Sequence, residues 1–311
     1  MQTLYKEDRP ELPVPQWADF FSEAQYSQFI NTVGAYFRNK GVPYSIHTDA
    51  IVRLGDKSYG VEKVGLLNLA QTCKRLPPAN WDDMIERHFE GMRIAADFET
   101  EFQKKAHDFA YVKDHIAVRI YHSNYVAAIK DGLTIGKQIA EGIYAMLVFD
   151  FPHSVINVRP EQTIQWNRTY EELFEEALEN VKRKYSFRLT EEGLAEIRIY
   201  LIAEDHFYAP NIILHLADHA HLASENGILI GIPNRHAALI YPVRDAEVLT
   251  AINRLIPVIN GMYKDGPGSI SDKLYWYHEG RFITLPYTMD DKNIQFYPPE
   301  EFVELLNRLD G

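Results

Sequence analysis

The sequence predicts an α+β fold in which mixed, largely antiparallel sheets pack against helices. Apolar runs of strand length alternate with amphipathic stretches, and tight polar turns join most neighbouring apolar runs. Because tight turns connect antiparallel strands, this pattern favours α+β over a doubly wound parallel sheet. The order β-α-β-β-α also occurs twice after a mainly helical N-terminal region, which predicts a duplicated module.

The first region, residues 1–110, is predicted to be mainly helical with one β-hairpin. Apolar residues recur at helical spacing over 16–40, and the hairpin is expected over 44–61. A short helix over 66–76 and a long helix from Trp81 complete the region.

The first predicted module covers residues 111–190. A capping box of Thr169 and Glu172 begins its last helix. The strands are expected at 116–121, 143–149 and 155–158, with a weak helix over 125–141.

The second predicted module begins at residue 191, and its region runs to 311. It repeats the order with strands at 197–202, 227–232 and 237–241, a helix over 210–222 and a helix capped by Asp245. A C-terminal hairpin over 274–285 and a helix over 299–309 follow.

Composition excludes several classes of protein. The net charge of −12 argues against a nucleic-acid partner, which requires clustered basic residues. The single cysteine, Cys73, excludes an intrachain disulfide framework and fits a reducing compartment. The N-terminus lacks the apolar segment of a secretory signal, and the apolar run 143–149 is too short to cross a bilayer. We therefore expect a cytoplasmic protein that does not bind membranes.

Two histidines and an aspartate in the predicted helix 210–222 form the first candidate site. On an α-helix, His215 and His219 share a face, so their imidazoles could bind one Zn²⁺ with Asp218 as ligand or base. A polar, solvent-facing helix surface is the alternative. No cofactor is expected, and Zn²⁺ is the ion this pair would bind.

A second candidate site is the turn between two apolar strands. Arg235 could hold a carboxylate or phosphate in bidentate geometry, and His236 could transfer protons near neutral pH. With Asn234 and Tyr208 they are the ligand-binding candidates, and a tight turn without a ligand is the alternative.

The aromatic run in the C-terminal hairpin is a candidate protein-binding surface. If Tyr275 and Tyr277 face outwards, they could contact a protein partner, and otherwise they belong to the core. No complete catalytic motif is present, so no catalytic residue is predicted.

The run Gly227-Ile-Leu-Ile-Gly-Ile-Pro-Asn-Arg235, with the apolar strand and capped helix after it, resembles the bacterial YtpQ-like family of uncharacterised proteins. The strings Leu147-Val-Phe-Asp-Phe-Pro152 and Leu66-Leu-Asn-Leu69 are similar to other parts of that family. The resemblance implies a class of protein but no activity and no site residues.

The sequence predicts a bacterial-type, cytoplasmic binding or interaction protein without catalysis of its own, whose partner is another protein. Two alternatives remain open. One is a metal-dependent hydrolase that uses His215 and His219, and the other is a sensor of a small anion that uses Arg235.

Overall fold

The computed structural model describes residues 13–55, 57, 59–129, 132–152, 154–290 and 293–309. The chain forms two compact units, Met1–Asp108 with Asp150–Val155, and Phe109–Phe149 with Ile156–Gly311. The first unit includes Asp150–Val155 as well as the N-terminal residues, so the predicted division at residue 110 stays a prediction. The second unit contains both predicted modules except Asp150–Val155 of the first, and their separation at residue 190 stays a prediction.

The first unit packs helices around a small antiparallel sheet. Its elements are a 3-10 turn (Gln16–Ala18), α1 (Glu23–Asn39), β1 (Tyr44–Ile46), β2 (Ile51–Leu54), β3 (Lys63–Gly65), α2 (Leu67–Lys74), a 3-10 turn (Pro78–Asn80) and α3 (Trp81–Gln103). The sheet has the order β1-β2-β3. The hairpin predicted over 44–61 corresponds to β1 and β2 within 44–54, and the third strand, β3, lies beyond its predicted end. Apolar faces of α1 and α3 meet at Phe37 and Phe89, whose ring centroids are 4.6 Å apart.

The second unit begins with a small sheet covered by one amphipathic helix. Its elements are α4 (Phe109–Val112), a 3-10 turn (Lys113–His115), β4 (Ile116–His122), α5 (Ser123–Ala127), β5 (Gly136–Ala140), β6 (Ile143–Asp150), β7 (Val155–Asn157), α6 (Pro160–Thr163) and α7 (Tyr170–Lys184). Strand β6 pairs with β4, β5 and β7. The predicted capping box begins α7, and Asn180 donates to the carbonyl oxygens of Lys113 and Ile116, which holds α7 on β4.

A larger antiparallel sheet follows. Its region contains β8 (Thr190–Leu194), β9 (Ile197–Ala203), β10 (Ile228–Asn234), β11 (Ala237–Pro242), α8 (Val248–Asp265), β12 (Leu274–His278), β13 (Arg281–Leu285), β14 (Tyr287–Met289), β15 (Ile294–Phe296) and α9 (Glu300–Leu309). Six of the strands form the order β13-β12-β10-β11-β9-β8, and α8 packs on β10, β11 and β12. The α+β class is confirmed, and the described strand registers are all antiparallel.

The strand orders of the two predicted modules differ. In the first module, the second strand, β6, lies between β4 and β7, whereas in the second module the third strand, β11, lies between β9 and β10. The strand topology therefore does not repeat, and a common origin of the two modules stays a prediction.

The segment predicted as a helix over 210–222 is instead a series of 3-10 turns, Ala209–Leu214, Leu216–Asp218 and Ala220–Leu222. The backbone leaves helical geometry at His215 (φ −141°, ψ 35°) and at His219 (φ −114°, ψ 78°). The first turn packs against both β4 and β11, so tertiary contacts override the local helical pattern. None of the helices in the described residues is long and apolar enough to cross a membrane.

Candidate anion-binding site

Strand β4 supplies one cation of the site. Arg119 and Tyr121 occupy alternate positions of the strand and share a face, and the guanidinium carbon of Arg119 lies 4.9 Å from the Tyr121 ring centroid. The Nε atom of Arg119 is buried and has no hydrogen-bond partner. Burial raises the pKa of Tyr121, although Arg119 opposes the rise, so this phenol is neutral at physiological pH.

The tight turn between β10 and β11 supplies the second cation. The backbone N–H of Arg235 donates to the carbonyl oxygen of Gly268 at 3.0 Å. Gly268 has a φ of +70°, and a Cβ atom there would lie 2.6 Å from Cδ of Arg235. The glycine therefore leaves space for the arginine side chain.

The ring of Phe207 joins the two cations. Its centroid lies 4.2 Å from the guanidinium carbon of Arg235 and 5.1 Å from that of Arg119. Phe207 is 37% exposed, so the residue that joins the two cations reaches the protein surface. Asn211, in the 3-10 turn just after Phe207, donates to the carbonyl oxygen of Val118 at 2.6 Å and so attaches this segment to β4 beside Arg119.

His236 holds Arg235 in a defined orientation. Its Nδ1 atom lies 3.0 Å from the carbonyl oxygen of Glu204, and Nε of Arg235 lies 3.1 Å from its Nε2 atom. Because a carbonyl oxygen only accepts, Nδ1 carries the proton and Nε2 accepts from the arginine. Arg235 thus uses Nε internally, so a ligand would have to bind through its Nη nitrogens.

The two guanidinium groups have no described counter-charge. The ion pairs among the described residues include neither Arg119 nor Arg235. Burial, with a smaller contribution from the nearby charge of Arg119, lowers the pKa of Arg235 to about 10. Arg235 nevertheless remains protonated at neutral pH, and with Arg119 beside it the cluster is a site of positive charge in a partly buried environment.

The other two ligand-binding candidates have structural roles. Asn234 is buried, its Nδ2 donates to the carbonyl oxygen of Met262, and its Oδ1 accepts from the N–H of His236. Tyr208 is 1% exposed and stacks on Tyr185 with centroids 4.5 Å apart. These two residues shape the turn and the neighbouring core and do not line the cluster.

The predicted arrangement of His215 and His219 on one α-helical face is wrong, because each residue lies at a break between 3-10 turns. Their rings still approach to 5.5 Å between centroids. Asp218 lies 3.8 Å from His215 but also pairs with Lys182 at 3.0 Å, so its charge is already compensated. Across the described ranges, no group of three or more His, Cys, Asp or Glu residues is arranged to hold a metal ion. Metal binding here stays a prediction.

The predicted tyrosine surface is wrong for Tyr275. Its side chain is 0% exposed, and its hydroxyl contacts the Ser271 hydroxyl and donates to the carbonyl oxygen of Glu141. Burial is the main cause that raises the pKa of this phenol. Tyr277 is half-buried against Phe282, at 4.7 Å between centroids. Tyr275 is therefore unavailable to a protein partner.

Three residues of the cluster were missed by sequence reasoning: Arg119, Tyr121 and Phe207. A signal for Arg119 exists, since it interrupts the apolar strand Ile116–His122 and a charged residue in such a strand needs a partner. Phe207 carries no such signal, because a lone aromatic residue between elements is common in any core.

Family models, characterised proteins and solved structures were compared with the chain. None of them matches it. The resemblance to the YtpQ-like family therefore stays a prediction, and the functional argument depends on the geometry of the site.

Proposed function

We propose that the protein binds a small anion, a carboxylate or a phosphate, between Arg119 and Arg235, and that it has no catalysis of its own. One observation carries the proposal: two partly buried guanidinium groups lie on one phenyl ring without a described carboxylate partner. Buried charges are normally paired, and truncating one partner of such a pair is costly. A bound anion supplies the missing partner.

The chemistry of the site fits this role. Arginine recognises carboxylates and phosphates through parallel N–H donors, and partial burial strengthens these interactions relative to water. The described residues around the guanidinium groups supply donors and aromatic faces, with a tyrosine and a histidine as the titratable neighbours. This composition favours binding over nucleophilic or hydrolytic chemistry.

Thermal unfolding of the full chain with and without added sulfate tests the proposal. Millimolar sulfate should raise the melting temperature of the wild-type protein, because a ligand that binds only the folded state stabilises it. The increase should disappear in Arg235→Ala.

Arg198→Ala is the matched control. Arg198 is an exposed arginine of the same unit whose side chain is 81% exposed, so this variant makes the same change in charge away from the site. The Arg198→Ala protein should retain the full sulfate effect. An equal effect of sulfate on the wild-type protein and Arg235→Ala would refute the proposal.

A further inference from the structure

The charge of the cluster around Arg119 and Arg235 indicates which charge state of anion the site prefers. The two guanidinium groups carry two positive charges, whereas Phe207 and Tyr121 are uncharged and His236 is held with Nε2 as an acceptor. We infer that the site is selective for a doubly charged oxyanion over a singly charged one. This inference rests on the proposed function and names the class of ligand that the same site takes.

A dianion balances the two positive charges of the site, and a singly charged ligand does not. A singly charged ligand would leave one guanidinium without a counter-charge in a partly buried site, where charge is more costly than in water. A dianion compensates both cations at once. Two like charges close together also repel each other, and the second negative charge of a dianion reduces that repulsion.

The number of N–H donors on the two arginines also favours a ligand with more than two oxygen atoms. Nε of Arg235 donates to His236, so Arg235 can donate to a ligand only through its Nη nitrogens. Nε of Arg119 is buried and has no hydrogen-bond partner. Two arginines can each direct parallel N–H donors at a ligand. A single carboxylate has two oxygen atoms to accept from both, whereas a tetrahedral phosphate or sulfate, or a dicarboxylate, has enough for each arginine.

The aromatic rings of Phe207 and Tyr121 contact the guanidinium groups. The faces of Phe207 and Tyr121 stabilise guanidinium groups through the ring quadrupole but add no negative charge. The two rings position the guanidinium groups without compensating their positive charge, so a bound anion can compensate it. A carboxylate in the same position would have neutralised the site internally.

Calorimetric titrations of the full chain with four anions test the inference. They are sulfate, methyl phosphate, malonate and acetate, all at one ionic strength because screening would otherwise differ between them. We expect sulfate to bind about tenfold or more tightly than acetate, since one further charge-assisted contact is worth roughly that factor. The relative affinities of methyl phosphate and malonate show whether the natural dianion is a phosphate or a dicarboxylate.

The pH dependence of methyl phosphate provides an independent measurement. Its second ionisation lies near pH 6, so the dianion fraction rises about tenfold between pH 5 and pH 7. Methyl phosphate should therefore bind about tenfold more tightly at pH 7 than at pH 5. Sulfate is a dianion at both values, so its affinity is the control for any effect of pH on the protein itself.

Variants separate charge from folding. Arg119→Ala leaves one cation, so the preference for sulfate over acetate should fall to within about twofold, while Arg119→Lys keeps the charge and should retain the preference. Acetate that binds the wild-type protein as tightly as sulfate, through the same arginines, would overturn the inference and leave the proposed function intact. If no anion distinguishes the wild-type protein from Arg235→Ala, the proposed function itself fails.

Discussion

At the scale of single residues, Phe207 is the side chain on which the site depends, because it contacts both cations. Cation–π contacts contribute about 0.5 to 2 kcal/mol each, depending on how far the cation is desolvated. These contacts help to hold two like charges close together. The ring is therefore a positioning group and need not touch the anion.

We expect Phe207→Ala to weaken sulfate binding about fivefold to thirtyfold, because the guanidinium groups lose the surface that orders them. Phe207→Tyr retains an aromatic face and should bind within about threefold of the wild-type protein. Calorimetric titration measures both affinities. An alanine variant that binds sulfate like the wild-type protein would show that the arginines are ordered by other contacts.

His215 links stability to pH at the neighbouring histidine cluster. Burial lowers the pKa of this imidazole to about 4, with smaller contributions from His219 and Lys182 in the same direction and an opposing one from Asp218. The unfolded chain binds a proton with the ordinary pKa of 6.5. The folded protein therefore favours neutral His215, and this contribution to stability is present above pH 6.5 and is lost as the pH falls towards 4.

The expected loss between those pH values is about 1 to 2 kcal/mol after allowance for solvent screening. His215→Gln should flatten this part of the stability profile, whereas the same change at the exposed His107 should leave it unaltered. Urea unfolding at several pH values measures the slope. Parallel profiles for the wild-type protein and His215→Gln would contradict the assignment.

At the scale of secondary-structure elements, the close contact between β10 and α8 fixes the larger sheet. A Cβ atom at Gly231 would lie 2.3 Å from Cδ1 of Ile259, so only glycine allows the helix to approach the strand this closely. Strand β10 also ends at the turn that carries Arg235, so its position on the helix contributes to the geometry of the site.

Gly231→Ala should lower the free energy of unfolding by about 1 to 3 kcal/mol, the usual cost of overpacking a well-packed core. Gly193→Ala is the matched control, since a Cβ atom there meets nothing within 4 Å. That control should change stability by at most about 1 kcal/mol, because alanine restricts the unfolded chain. Urea unfolding distinguishes the two variants, and equal effects would show that α8 can move to accommodate the methyl group.

At the scale of the whole molecule, the site is a local exception to the overall charge. The chain has a net charge of −12, so the cluster of Arg119 and Arg235 places uncompensated positive charge in an acidic protein. Net charge governs solubility and non-specific association, whereas the local pair governs which small ligand binds. A negative net charge is compatible with a local anion-binding site because salt screening limits the distance over which surface charges act.

Much of the secondary structure could be predicted because its signals are local. The capping box of Thr169 and Glu172, the C-terminal hairpin and the final helix all agree with the structure. In the hairpin, Glu279 and Gly280 both adopt positive φ angles, as a two-residue turn between twisted strands requires. Helix α8 contains Pro257 and continues beyond it to Asp265.

The errors occur where tertiary contacts compete with a local pattern. The stretch 125–141 was predicted as a weak helix, but its later part pairs with β6 as strand β5. The stretch 210–222 was predicted as one helix, and packing on β4 and β11 divides it into 3-10 turns. In both cases the local preference was weak, so the energy of long-range pairing decided the outcome.

Arg235 and His236 were recognised from sequence because they lie together in one turn between apolar strands. Their partners Arg119 and Phe207 are far away along the chain and come close only because the first 3-10 turn packs on β4 as well as on β11. Local periodicity and turn chemistry thus specify the elements, the fold class and one cation of the site. Local sequence signals are compatible with several different pairings of the strands. Only the tertiary structure could therefore place the second cation, Arg119, beside Arg235.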